Sequence, residues 1–176
     1  AALHSVYDEA TFRAHTGTTM GTHKWVDTRI YRNVDEPLTQ LKKNNYQIIA
    51  ADTSGNTRDY REVDYTKPTA VLLGAEKYGI SDAAYPYIDQ CVTVPMLGMV
   101  ESFNVGVACA IILAEARGQR EAAGFYEERQ MSDEVYKGTL FEWTQPLVAK
   151  YCQKHSLPYP VLNEKGDIIN LDWRKG

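Results

Sequence analysis

The chain has 176 residues and a mass of 19.9 kDa, with 44% apolar residues, 24% charged residues and a net charge of −4. This balance fits one globular domain, with room for a small appendage, and excludes a disordered, collagen-like or low-complexity chain. The longest mostly apolar run, residues 105–116, is too short to cross a bilayer, so no membrane role is expected. A strongly basic nucleic-acid footprint is absent, since the acid excess lies in residues 1–116 and the remainder is neutral. Cys91, Cys109 and Cys152 are odd in number and form no CxxC pair, which fits a reducing, cytoplasmic setting.

The chain opens without Met, on a segment that reads like a strand entered partway (Leu3 to Tyr7), so a further segment upstream is expected. Residues 16–22 form a small-residue loop, and Trp25 to Tyr31 alternates as a strand. Asp35 to Lys43 is predicted to be helical, with Pro37 in its first turn and Val34, Leu38 and Leu41 on one face. Three compact apolar strands follow, Tyr46 to Ala51, Ala70 to Leu73 and Cys91 to Val94, with a helix start at Ser81-Asp82 between the second and third. Asn104 to Arg120 is the strongest helix, with Val105, Ala108, Ile112 and Ala116 on one side. After Arg120 the composition shifts, and a helix over Glu142 to His155 is expected before the Pro158/Pro160 segment.

Strands alternating with helices predict an α/β fold with a largely parallel sheet, buried on both faces. The loops after the three apolar strands, Asp52 to Asn56, Gly74 to Ser81 and Pro95 to Phe103, then share one edge, the usual ligand crevice. Ser102 and Asn104 stand where the long helix begins. They suit either an anion held at free N–H groups or plain helix capping. Glu76 between Gly74 and Gly79 could accept hydrogen bonds from a ligand or serve as a solvated cap. No phosphate-loop, GxGxxG, HExxH or GxSxG pattern occurs, and the scattered histidines predict no metal. Twelve tyrosines could serve base stacking, although packing is the commoner use.

Residues 71–81, VLLGAEKYGIS, and 92–115, VTVPMLGMVESFNVGVACAIILAE, resemble in order and spacing the second and third motifs of the SPOUT (SpoU-type) RNA ribose 2′-O-methyltransferases. THKWV (22–26), DYREVDYTKP (59–68) and KHSLPYPVLNEKGDI (154–168) are similar to the bacterial TrmH type, which methylates the guanosine-18 ribose of the tRNA D-loop. The resemblance implies a trefoil-knotted α/β domain (1–120), a C-terminal extension (121–176) for tRNA recognition and dimer support, a homodimer, and S-adenosylmethionine as cofactor. It implies cofactor contacts at Thr53, Gly74, Glu76, Val94, Met96, Leu97, Ser102, Phe103 and Asn104, with Phe103 replacing the common Leu. Ser102 and Asn104 would support catalysis, and Arg120, with Arg117 beside Gly118, would contact tRNA. The family's catalytic Arg lies in a first motif, Asn-x-x-x-x-x-Arg, expected upstream of residue 1. Alternatives are a related enzyme acting on rRNA or on a tRNA wobble ribose, and a non-catalytic RNA-binding remnant.

Overall fold

The computed structural model describes residues 2–6, 26–53, 55–75, 78–99, 102–170 and 172–173. The loop at 16–22, Trp25, Glu76 and the basic residues Arg13, His15, His23 and Lys24 lie outside these. The chain divides into two compact units, Ala1–Tyr126 and Glu127–Gly176.

In the first unit the elements run β1 (Ala2–Val6), β2 (Asp27–Tyr31), α1 (Asp35–Lys43), β3 (Gln47–Ala51), β4 (Arg58–Asp59), β5 (Thr69–Leu73), β6 (Gln90–Thr93) and α2 (Val105–Ala122). 3-10 segments of one and two turns sit at Tyr60–Glu62 and Asp82–Tyr87. β1 and β2 form a parallel two-stranded ladder. The main sheet has the order β4-β6-β3-β5, with every neighbour parallel. β3 lies inside the sheet, and its Ile48, Ile49 and Ala50 are fully buried, as its unbroken apolar run requires.

Strand alternation sends neighbouring residues of β3 into opposite layers. Ile49 joins Val63, Tyr65, Val92 and Ile112 under α2, while Ile48 joins Leu38 and Ala84 under α1 and the 82–87 turn. The sheet is thus covered on both faces, as expected. The dipeptide strand β4 was not anticipated. Its Arg58-Asp59 has no apolar character and is strand only because it borrows the edge of β6. The helix expected at Ser81-Asp82 is 3-10, and Pro86 within it removes a backbone donor that an α-helix would use.

Two neighbours tie α2 to the segment before β5. Gln119 donates from Nε2 to Val63 O (3.0 Å) and accepts at Oε1 from Tyr65 N–H (3.0 Å). Arg120 donates from Nε to Tyr65 O (2.8 Å) and from a terminal nitrogen to Lys67 O (3.2 Å). The unit runs past Arg120 to Tyr126 because the chain folds back there. Phe125 N–H donates to Arg120 O (3.0 Å), Gly124 has φ +76°, and the Arg120 guanidinium lies 6.0 Å from the centre of the Phe125 ring.

The second unit corrects one expectation. In place of a single helix over 142–155 there are two, α3 (Asp133–Thr144) and α4 (Pro146–His155). Pro146 has no N–H to donate, and it opens α4 as its first residue. Ser132 caps α3 through the Val135 N–H, and α4 stops at Ser156, whose φ of +53° is left-handed. Phe141 is buried and stacks on Tyr159 at 4.7 Å, and the Tyr159 hydroxyl donates to Glu142 (2.7 Å). The Pro158/Pro160 segment is non-helical, as its prolines dictate.

Candidate functional site

Parallel pairing places the carboxyl ends of β3, β5 and β6 on one edge. The loops that leave them, together with the start of α2, enclose a cleft of about 480 Å³. Its floor and walls are Ala51, Asp52 and Thr53 after β3, Gly74, Ala75 and Gly79 after β5, and Val92, Thr93 and Val94 from β6. Ser102, Phe103 and Asn104 close it, with Val105, Ala108 and Ile112 of α2 behind. A second hollow of about 430 Å³ shares Thr53, Thr93 and Val94 and adds Thr57, Pro95, Met96 and Gly98.

The β5 loop is shaped by backbone. Ala75 N–H donates to Gly79 O (2.9 Å) and Gly79 N–H to Ala75 O (2.8 Å), with Gly79 at φ +67°. A Cβ on Gly74 would lie 2.5 Å from the Gly79 carbonyl carbon and 2.8 Å from Ile80 N. No side chain fits there, so main-chain atoms come right up to the cleft wall.

The structure brings Thr53, Gly74, Val94, Ser102, Phe103 and Asn104 together on the main cleft and puts Met96 on the adjoining hollow. Leu97 joins neither: its side chain is fully exposed. Glu76 lies outside the described residues. Asn104 is the N-cap of α2, its Oδ1 accepting from Gly106 N–H (2.9 Å). Ser102 is exposed. Of the two arginines, Arg117 reaches solvent and pairs only loosely with Glu121 (3.8 Å), while Arg120 is spent on the Tyr65 and Lys67 carbonyls.

Sequence reasoning left several cleft residues unassigned. Thr93, Thr57 and Ala108 are among them, and so is Asp52, whose carboxylate Oδ2 accepts from the Tyr85 hydroxyl (2.7 Å). A signal for Asp52 was available, since it directly follows an apolar strand on the crevice edge. Burial, and then the Asp52 charge, hold the Cys91 thiol above its ordinary pKa, while burial alone does the same for Cys109. Among the described residues no group of three His, Cys, Asp or Glu is placed to hold a metal ion, and no helix is long and apolar enough to cross a membrane.

Comparison with known proteins gives two consecutive family matches. The SpoU rRNA Methylase family model covers residues 3–114, and the model for the C-terminal part of SpoU rRNA methylases covers 118–171. The tRNA (guanosine(18)-2′-O)-methyltransferase of Escherichia coli K12 is 38% identical over 174 residues, which is 97% of this chain and 76% of that protein. Among solved structures, the Aquifex aeolicus TrmH/SpoU tRNA modifying enzyme superposes with a TM-score of 0.71 at 33% identity, covering 89% of this chain and 77% of its own. The AdoMet-bound rRNA methyltransferase from Sinorhizobium meliloti superposes at 0.58 with 25% identity, over 66% of this chain and 45% of that one.

Proposed function

Because the chain belongs to the SpoU rRNA methylase family, we propose that it methylates a ribose 2′-OH of RNA with S-adenosylmethionine, at guanosine 18 of tRNA. The observation that carries this reading is the convergence on one cleft of the two blocks that resemble the family's motifs.

The residues present fit the cofactor. A volume of about 480 Å³ lies in the range of small-molecule sites. Val94 and Phe103 offer an apolar side for an adenine ring, and Asp52, Thr53 and Asn104 offer polar atoms. The close-packed backbone at Gly74 and Gly79 leaves main-chain groups to read the ligand edge. When bound, S-adenosylmethionine supplies a methyl already activated on a sulfonium, so the reading calls for no metal.

A ribose 2′-OH is a poor nucleophile at neutral pH, so the protein must orient it and assist loss of its proton. Ser102 and Asn104, at the N-terminus of an 18-residue helix, suit the placing of a substrate phosphate beside the cleft. The resemblance assigns the catalytic Arg to the family's first motif. Arg117 is the better placed of the two arginines for tRNA, since the guanidinium of Arg120 holds two backbone carbonyls.

The same reading includes a homodimer. It is supported by an exposed apolar stripe at helical spacing on α2, formed by Gly106, Val107, Ala110, Leu113 and Ala114, and by the exposed Leu97 and Met99. The trefoil knot belongs to it as well, supported by the likeness in fold to the Aquifex enzyme. The segment from residue 121 is read as the extension for tRNA recognition and dimer support, and the match of a separate C-terminal family model favours this. A tRNA substrate favours a cytoplasmic setting for the activity.

The test is transfer of labelled methyl from S-adenosylmethionine to an unmodified tRNA transcript by the full-length protein. The expected result is label at guanosine 18 that disappears when this nucleotide is 2′-deoxy. Label at a wobble ribose or in rRNA would replace the substrate assignment. Cofactor binding without transfer to any RNA would replace the enzyme with an RNA-binding module.

A further inference from the structure

Among the described residues that line the main cleft, Asp52 is the one with a charged side chain. Its place is fixed from two directions. Its N–H donates to Val92 O (3.1 Å), which extends the β3–β6 ladder by one step, and its Oδ2 accepts from the Tyr85 hydroxyl (2.7 Å). Tyr85 stands on the 82–87 segment beside Ala84, which is buried in the core. A hydroxyl that donates to a carboxylate holds it in one orientation. The Asp52 charge is felt nearby, adding to the effect of burial on the Cys91 thiol.

Methyl transfer from a sulfonium changes the charge of what the cleft holds. The S–C bond breaks with its electron pair left on sulfur, the O–C bond forms, and the hydroxyl proton leaves to a base or to water. S-adenosylmethionine therefore carries one more positive charge than S-adenosylhomocysteine, while their adenosine and amino-acid parts are identical. A fixed carboxylate on the cleft wall favours the first over the second by Coulomb attraction.

We propose that Asp52, oriented by Tyr85, is the cofactor-binding residue through which this cleft distinguishes the cationic methyl donor from its neutral product. The inference rests on the cofactor reading above and adds to it the residue that sets this preference. It also supplies a reason for product to leave without any rearrangement of the cleft: the attraction at Asp52 lapses when the methyl departs.

The test is calorimetric titration of the full-length protein with S-adenosylmethionine, S-adenosylhomocysteine and sinefungin, in which an ammonium-bearing carbon replaces the sulfonium. Asp52→Asn keeps the size and an acceptor for the Tyr85 hydroxyl. It is expected to weaken the two cationic ligands about fivefold and leave S-adenosylhomocysteine within about twofold, as fits one unit charge several ångströms away in a partly solvated cleft. Tyr85→Phe should act in the same direction, by less. Equal changes for all three ligands, or none for any, would overturn the assignment. Should Asp52→Asn fail to fold, the wild-type protein still decides. Raising salt from about 0.05 to 0.5 M must weaken S-adenosylmethionine more than S-adenosylhomocysteine, and equal salt slopes would overturn the proposal. A wild-type protein that binds none of the three removes the cofactor reading along with it. One that binds all three, with no charge-dependent difference, removes the role of Asp52 alone.

Discussion

At its N-terminal end α2 faces the cleft through Val105, Ala108 and Ile112, carries an Asn104 cap, and leaves Val107 and Leu113 about half exposed. At its C-terminal end Gln119 and Arg120 satisfy one backbone N–H and three backbone carbonyls of residues 63–67. Pairing of this kind is worth most where the groups are shielded from water, and Val63 and Tyr65 are buried. The sheet repeats the division. Its carboxyl edge opens into the cleft, while its other edge is laced by Asp89, which accepts from Lys42 Nζ and from Ile48 N–H (2.7 Å). One helix and one sheet thus divide their length between ligand space and structural ties, and substitutions at the two ends should separate binding from stability.

The largest effect is expected at the cleft end. Gly74→Ala puts a methyl 2.5 Å from the Gly79 backbone, so the β5 loop must open. Cofactor affinity should fall more than tenfold, with a stability loss of about 1–3 kcal/mol from the forced shift, measured by calorimetry and by urea unfolding. Full affinity in this variant would break the comparison.

At the other end, Gln119→Ala leaves Val63 O and Tyr65 N–H without their side-chain partner. A loss of about 1–3 kcal/mol is expected by urea unfolding, with cofactor affinity within about twofold of wild type. A large drop in affinity with unchanged stability would reverse the roles assigned to the two ends.

Asp89 sharpens the comparison through pH. Burial works to raise its pKa, but the hydrogen bonds from Lys42 and Ile48 N–H outweigh this and leave it below the ordinary 3.8. A carboxylate with a lowered folded-state pKa stabilises the fold fully above its unfolded value, and the contribution is lost as pH falls through the folded one. Asp89→Asn should therefore reduce stability at pH 6 and flatten its decline below about pH 4, as read from urea midpoints. An unchanged acid slope would show that Asp89 contributes nothing to it.

The smallest effect is expected at Tyr65. Its ring is fully buried, its hydroxyl has no hydrogen-bond partner among the described residues, and burial pushes its pKa up to about 12. Removing an unsatisfied buried hydroxyl is neutral or favourable, so Tyr65→Phe should change stability by between 0 and about +1 kcal/mol. A loss of more than about 1 kcal/mol would mean that the hydroxyl finds a partner in solution.

Much of this division was legible in the sequence, because the elements that build it obey simple periods. The apolar runs read at 46–51, 70–73 and 91–94 suited burial in a two-faced sheet, and their parallel order put three loops on one edge. Asn104 was legible as a cap because its side chain acts on its own helix. What escaped depends on distant partners. β4 is a strand only beside β6, Gln119 and Arg120 act on residues more than 50 positions away, and Asp52 meets a tyrosine 33 positions on. The split of the expected 142–155 helix was legible in Pro146.

The most direct test of the central claim is a crystal structure of the protein with S-adenosylmethionine. The account predicts the cofactor in the cleft between the carboxyl ends of β3, β5 and β6, against Gly74, Val94 and the start of α2. Cofactor bound away from these residues, with the cleft itself empty, would contradict it.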